Sequence, residues 1–407
     1  MSEQETSRRP AASEQGSTAL DRLRAAARVR AAAGLQRALW SRDPGFDGLL
    51  DLASNDYLGL CGDPRLAAAA SAAAAKWGTG ATGSRLVTGN TTLHGRLEER
   101  LASFTGAAGA LVFSSGYLAN LTAVTAVSAA LGSVLIVSDE RNHASLIDAC
   151  RLARSPSVRL AIAPHGDVAA VRALLSSREE ESALVVSDAV FSVDGSLAPI
   201  AELHATVREY GALLILDEAH ALGVLGPGGR GASAGAGLAG EPDLIRTVTL
   251  SKSLASQGGA VLAAPAVLRT LVDTGRGFIF DTGLAPPSAA AALAALDLIA
   301  AEPWRSEAAL TSAARLAMIC ADLGLAVVRP DAAVLAVVIG EAHAAVTARE
   351  ICARAGVRAG CFRPPSVPAG QACLRLTARA TMTESDFAIA SRALAKVRDH
   401  VGVDVHP

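Results

Sequence analysis

Residues 183–220 read "ALVVSDAVFSVDGSLAPIAELHATVREYGALLILDEAH". Two apolar runs, 183–192 and 212–220, flank a stretch with helical spacing, "PIAELHATVREYG" (199–211). The runs are apolar throughout instead of alternating, which is what a sheet covered on both faces requires of its strands. Each ends in polar residues: Asp188 and Ser192 after the first, Asp217 and His220 after the second. This is the pattern of a βαβ unit, and it decides the fold class.

The alternation extends in both directions. Upstream lie strand-like "ALVFSS", helix-like "GYLANLTAVTAVSAAL", strand-like "SVLIVSD", helix-like "NHASLIDACRLA", then "LAIAP" followed by "DVAAVRALLSS". Downstream, "LIRTV" precedes "TLSKSLASQGG" (249–259). Short β-rich runs alternating with helical stretches predict an α/β fold with a mostly parallel sheet covered by helices. An alanine-rich helix follows at about 287–302. A smaller C-terminal α/β part then reads as strands "LAVVRP", "AVLAVVIG" and "CLRLTA" with the helix "AHAAVTAREICARAG". The expected organisation is an N-terminal tail and helix (1–50), a large domain (51–286), and a linking helix with a small domain (287–407). Residues 20–40 read as the helix of the first segment.

Bulk composition narrows the function. The 407 residues are 51% hydrophobic but only 3% aromatic, and the net charge is −2. No basic stripe marks a nucleic-acid partner. Residues 101–138 carry no charge, but "TGAAGA", "SSG" and "LGS" divide them into strand, helix and strand, so a membrane span is not expected. The first residues, "MSEQETSRRPAASEQGST", contain no apolar core of a signal peptide. The six cysteines form no CxxC pair and no zinc-type cluster, and read as reduced thiols of a cytoplasmic protein without a metal.

In α/β sheets, ligands gather at the carboxyl ends of the strands. The polar residues placed there are Gly116 and Tyr117, His143, Asp188 and Ser192, Asp217 and His220, then Thr249, Ser251 and Lys252. Lys252 is one of only three lysines among 37 basic residues. A desolvated lysine can lose its proton and act as an amine, which arginine cannot do. The helix opening at Gly116 offers free N–H groups suited to phosphate. "GTGATG" (78–83) and "GPGGRG" (226–231) match a dinucleotide pattern, but neither lies between a strand and a helix, so both read as turns. A lysine amine, a carboxylate and phosphate donors together fit pyridoxal phosphate: an aldehyde for the amine, a pyridine nitrogen for the carboxylate. Singly, each residue has a structural alternative: Asp217 as a helix cap, Asn55 as a turn residue, Arg375 as a surface ion pair.

At this point the motifs resemble those of the α-oxoamine synthases. They are "DLASNDYLGL", "GSRLVTGNTTLHGRLEERLA", "LVFSSGYLAN", "RNHASLIDA", "VFSVDGSLAPI", "LDEAHALGV", "TLSKSLASQGG", "RPPSVPAG" and "LRLT", in order from about Leu35 to Arg398. The resemblance implies a fold-type I pyridoxal-phosphate transferase that joins an amino acid to an acyl thioester with loss of CO2. Carried over by position, Lys252 is the Schiff-base lysine and the base at Cα, and Asp217 is the partner of the pyridine nitrogen. His143 stacks on the ring, and His220 and Ser192 hold its phenolic oxygen. Asp188 stands where the family has glutamate. Thr249, Ser251 and the Gly116–Tyr117 backbone bind phosphate, with Thr282 reaching across a homodimer. Asn55, Arg375 and Ser366 meet the substrate with His143, and Arg37 the acyl part. "RPPSVPAG" and "FIFDTGLAP" look most like the family member that condenses L-alanine with a pimeloyl thioester, carried on CoA or an acyl carrier protein. Sister members use glycine or serine.

Overall fold

The computed structural model of the protein describes residues 18–41 and 48–401. The segment read as a tail lies outside these up to residue 17. Eleven strands form two sheets among the described residues. In chain order they are β1 (Leu50–Leu52), β2 (Ala110–Phe113), β3 (Val134–Asp139), β4 (Val158–Ala163), β5 (Ser182–Asp188) and β6 (Leu213–Asp217). They continue as β7 (Leu244–Thr249), β8 (Gly259–Leu262), β9 (Val334–Gly340), β10 (Val357–Phe362) and β11 (Ala372–Thr377).

The large sheet has the order β2-β8-β7-β6-β5-β3-β4. Its strands are parallel except β8, which runs antiparallel to both neighbours. Alternate residues of one strand serve different cores. Val185, Leu214, Leu216 and Val248 join one apolar cluster, while Leu184, Val186, Ile215 and Ile245 join another on the opposite face. This is why the strands read as unbroken apolar runs. The charge-free helix Gly116–Leu131 buries eight residues, five of which join the second cluster. No described helix is long and apolar enough to cross a membrane.

The small sheet has the order β1-β10-β11-β9, with β1 parallel to β10 and the other pairs antiparallel. It holds its own apolar cluster, built with the helices Trp304–Asp322, Ala342–Arg354 and Glu384–Val401. Several sequence expectations shift here. Residues 50–52, at the expected start of the large domain, belong to the small sheet. The alanine-rich helix Pro286–Ala301 packs into the core of the large sheet, on the helices Pro64–Trp77 and Thr92–Thr105. "LAVVRP" makes only an isolated bridge, Val327 to Val337, and is no strand. The first helix ends at Ala32, short of residue 40. "LAIAP" is β4 at the sheet edge, so the strand ends bearing candidate residues are not consecutive in sequence.

Candidate active site

The carboxyl ends of β5, β6 and β7 bring the polar residues together. Asp188 pairs in register with Asp217, and Asp217 with Thr247. Beside them opens a cavity of about 900 Å³. Among its lining residues are Asn55, His143, Ser192, His220, Lys252, Ser366 and Arg375. All seven are sequence-predicted; Arg375 lies on β11 of the small sheet and the other six on loops.

Asp217 is buried, and each of its oxygens accepts a hydrogen bond. Ala219 N donates to Oδ1 (2.8 Å) and Asn120 Nδ2 to Oδ2 (2.6 Å). Asn120 Nδ2 also donates to Ser145 Oγ (2.8 Å), which lies 2.7 Å from His143 Nδ1. His143 caps the helix Ala144–Ala153, its Nδ1 accepting from Ser145 N. Its ring is thus set by a chain that starts at Asp217. Asp188 takes the remaining contact: its Oδ2 accepts the His143 N–H (2.6 Å). Burial, and then the neighbouring Asp217 charge, push the Asp188 carboxyl well above its usual range. Through that contact Asp188 holds the His143 backbone.

Lys252 Nζ lies 3.0 Å from His220 Nε2. Burial lowers the Lys252 ammonium to about 8, with Arg375 acting in the same direction and Asp217 and Asp188 opposing. Burial, then the Lys252 and Arg375 charges, hold His220 well below its ordinary value, so its imidazole is neutral. On its other side His220 Nδ1 meets Tyr57 Oη at 2.6 Å. Arg375 donates from Nε to the Ser192 carbonyl (2.6 Å) and from Nη2 to Asn55 Oδ1 (3.0 Å).

The lowered Lys252 value has a direct consequence. In cofactor-free protein, acylation of its amine is expected to rise with a midpoint near pH 8, read by peptide mass spectrometry across a pH series. The exposed Lys76 and Lys396 serve as internal references. Labelling of Lys252 that merely tracks them would contradict the burial argument.

Behind the cavity, Thr249 Oγ1 and Ser251 Oγ lie 2.7 Å apart. The first turn of the helix Gly116–Leu131 presses on them: a Cβ on Gly116 would meet the Thr249 side chain at 3.1 Å. A Cβ on Gly259 would fall 2.4 Å from the Gly116 nitrogen, so only glycine lets the backbones close. Two hydroxyls beside the N-terminal N–H groups of a helix are an arrangement suited to phosphate. "GPGGRG" is a turn wrapped on Glu218: a Cβ on Gly231 (φ +109°) would overlap the Glu218 Oε2. The Tyr117 hydroxyl bonds Asp148 at the surface and does not line the cavity. Nor do Arg37, which is exposed, or Thr282, which bridges Ser84. At the opposite edge of the sheet, His204, Glu241 and Asp243 form a tight cluster. Arg208 pairs with both acids and answers their charge.

Three participants were not singled out from sequence: Tyr57, Asn120 and Ser145. Asn120 had a usable signal, a lone amide in a charge-free helix, which if buried must find a partner.

The residues fit pyridoxal phosphate. A depressed lysine amine faces the cavity, a buried carboxylate sits at the adjacent strand, and a hydroxyl and N–H cradle lies behind. A mostly parallel sheet with this set at its carboxyl edge defines a fold-type I pyridoxal-phosphate enzyme. The chain belongs to the aminotransferase class I and II family, whose model matches residues 47–394. The 8-amino-7-oxononanoate synthase of Mycolicibacterium gilvum (strain PYR-GCK) is 55% identical over 368 residues, 90% of this chain and 94% of that one. Among solved structures, serine palmitoyltransferase with pyridoxal phosphate as an internal aldimine superposes with a TM-score of 0.86 at 27% identity, covering 94% of this chain and 98% of that one. An 8-amino-7-oxononanoate synthase from Francisella tularensis gives a TM-score of 0.73 at 25% identity, covering 88% and 100%.

Proposed function

We propose that this enzyme is an 8-amino-7-oxononanoate synthase of biotin biosynthesis, condensing L-alanine with a pimeloyl thioester and releasing CO2 and the free thiol. The observation that carries the reading is the placement of Lys252. Its amine is buried, lowered to about 8, and shares one cavity with His143, Asn55 and Arg375. The 55% identity to a named synthase over 90% of the chain supports the particular reaction.

Bound pyridoxal phosphate supplies the electron sink that stabilises negative charge at the amino-acid Cα. Asp217 would hold the proton on the pyridine nitrogen, with Asn120 and the Ala219 N–H fixing its carboxylate. Thr249, Ser251 and the Gly116–Tyr117 N–H groups would bind its phosphate. His143 would cover the ring face, and His220 and Ser192 would face its phenolic oxygen. Arg375 and Asn55 bind the alanine carboxylate. Lys252 would take the Cα proton of the bound amino acid and later return one. The apolar wall of Val193, Ala336, Val338 and Val367 suits a methylene chain, with Ser366 at its margin. An acetyl donor needs no such wall.

Residues left exposed support a homodimer. The helix Ala19–Ala32 buries none of its residues, and Leu39, Trp40, Val87 and Phe280 are exposed. Thr282 then serves the partner's phosphate site, and Arg37 approaches the acyl donor. The test offers pimeloyl, acetyl, succinyl and palmitoyl thioesters, on CoA and on an acyl carrier protein, with alanine, glycine or serine. Turnover confined to pimeloyl with alanine is expected. Turnover with an acetyl or succinyl thioester and glycine, and none with pimeloyl and alanine, moves the enzyme to a sister reaction.

A further inference from the structure

The amine of Lys252 is not alone in its pocket. It begins a chain of polar groups that runs through His220, Tyr57 and Asn55 to Arg375. The direction of every hydrogen bond in that chain follows from its far end. A guanidinium can only donate. Arg375 Nη2 lies 3.0 Å from Asn55 Oδ1, so the amide must turn its oxygen to the arginine. The same oxygen lies 3.0 Å from Tyr57 Oη. Two oxygens at that distance need a hydrogen between them, and only the phenol has one. Tyr57 therefore donates to Asn55.

With its proton so engaged, Tyr57 Oη can only accept from His220 Nδ1, 2.6 Å away. Nδ1 then carries the imidazole hydrogen, and in a neutral ring Nε2 is the acceptor. Lys252 Nζ donates to it across 3.0 Å. Tyr57 is fully buried, so water does not compete for its hydroxyl. Burial also pushes its phenol up to about 12, which keeps the donor proton in place. The other titratable groups facing His220 are Arg375 and His143, and neither is bonded to the ring.

We infer that in the cofactor-free protein Tyr57 is a positioning residue that fixes His220 in the Nδ1–H tautomer, so that Nε2 receives one Lys252 proton and the amine lone pair is left toward the cavity. This rests on the reading of Lys252 as the reacting amine and adds a partner that orients it. It also links that amine to Arg375, the proposed carboxylate-binding residue, through fixed donors.

The test is imidazole ¹⁵N NMR on full-length protein labelled at histidine, without cofactor and then loaded with pyridoxal phosphate. In cofactor-free wild type, His220 is expected as Nδ1–H. Tyr57→Phe removes the acceptor at Nδ1, and the population is expected to move toward Nε2–H. Asn55→Leu removes the acceptor of the phenol proton, so Tyr57 turns its proton to Nδ1 and the ring flips to Nε2–H. That second variant decides the matter should Tyr57→Phe fail to fold. His143, whose Nδ1 accepts from Ser145 N, is the internal control and should not change. In steady state, Tyr57→Phe is expected to lower kcat about tenfold with KM for the amino acid within about twofold, the loss of one buried orienting hydrogen bond. Wild type found as Nε2–H, or both variants with the wild-type tautomer, overturns the inference. Failure of the thioester panel with the tautomer shift intact would refute only the choice of substrates, and a chain showing no visible band with added cofactor would refute the role of Lys252.

Discussion

Lys252→Ala is expected to abolish the visible absorption of bound pyridoxal phosphate and to lower turnover on the order of 10⁵-fold, the scale of losing a covalent nucleophile. The size follows from the site. Lys252 is the lysine that lines the cavity, and burial lowers it to about 8, so a useful fraction is free amine at neutral pH. Among the other lining residues, Arg141 and Arg375 are guanidines, and His143 and His220 are already committed to Ser145 and Tyr57. None can replace a primary amine. The fold should survive. The substitution takes away a costly buried ammonium but leaves His220 Nε2 without its donor. These opposing changes should keep the stability of cofactor-free protein within about 2 kcal/mol, measured by denaturant unfolding. A variant that keeps the visible band, or turns over within a hundredfold of wild type, removes Lys252 from the chemistry.

How much of this site was legible beforehand depended on whether a residue's task is local. Asp217 and Lys252 stand at the ends of strands whose apolar runs were unmistakable, so their approach follows from the sheet alone. Tyr57 meets His220 across 163 residues, and Asn120 meets Asp217 across 97. Nothing in "DYLGL" states that its tyrosine will face "DEAH"; that is set by how the chain after β1 crosses to the large sheet. Asp188 was placed at the site, but its task emerged only with the His143 N–H beside it. Among strands, β3 and β5 through β7 were readable because both faces are covered. β8 has four residues after a glycine turn, and β10, "VRAGCF", interrupts its apolar residues with arginine and glycine. β1 has three residues and exists through its pairing with β10. Such short strands owe their place to tertiary pairing and not to pattern.

Asp217→Asn is expected to lower turnover about 10³-fold while the cofactor still binds, because the charge that holds the pyridine proton is gone but Lys252 is intact. Binding is read from the retained visible band. The substitution has a second, structural cost. Both oxygens of Asp217 accept, one from the Ala219 N–H and one from Asn120 Nδ2. An amide placed there must turn its NH2 group on one of these donors, at a cost of about 1–3 kcal/mol in stability. Loss of turnover alone would thus confound a missing charge with a distorted site. The exchange Asp217→Asn with Asn120→Asp separates the two. It restores a donor–acceptor pair between the helix Gly116–Leu131 and β6, so the melting temperature should recover most of its loss. The carboxylate now stands on the helix and no longer at the strand end, so turnover should stay depressed. Recovery of both together would show that Asp217 serves as a structural acceptor. Recovery of stability alone would assign it the charge that the reaction needs.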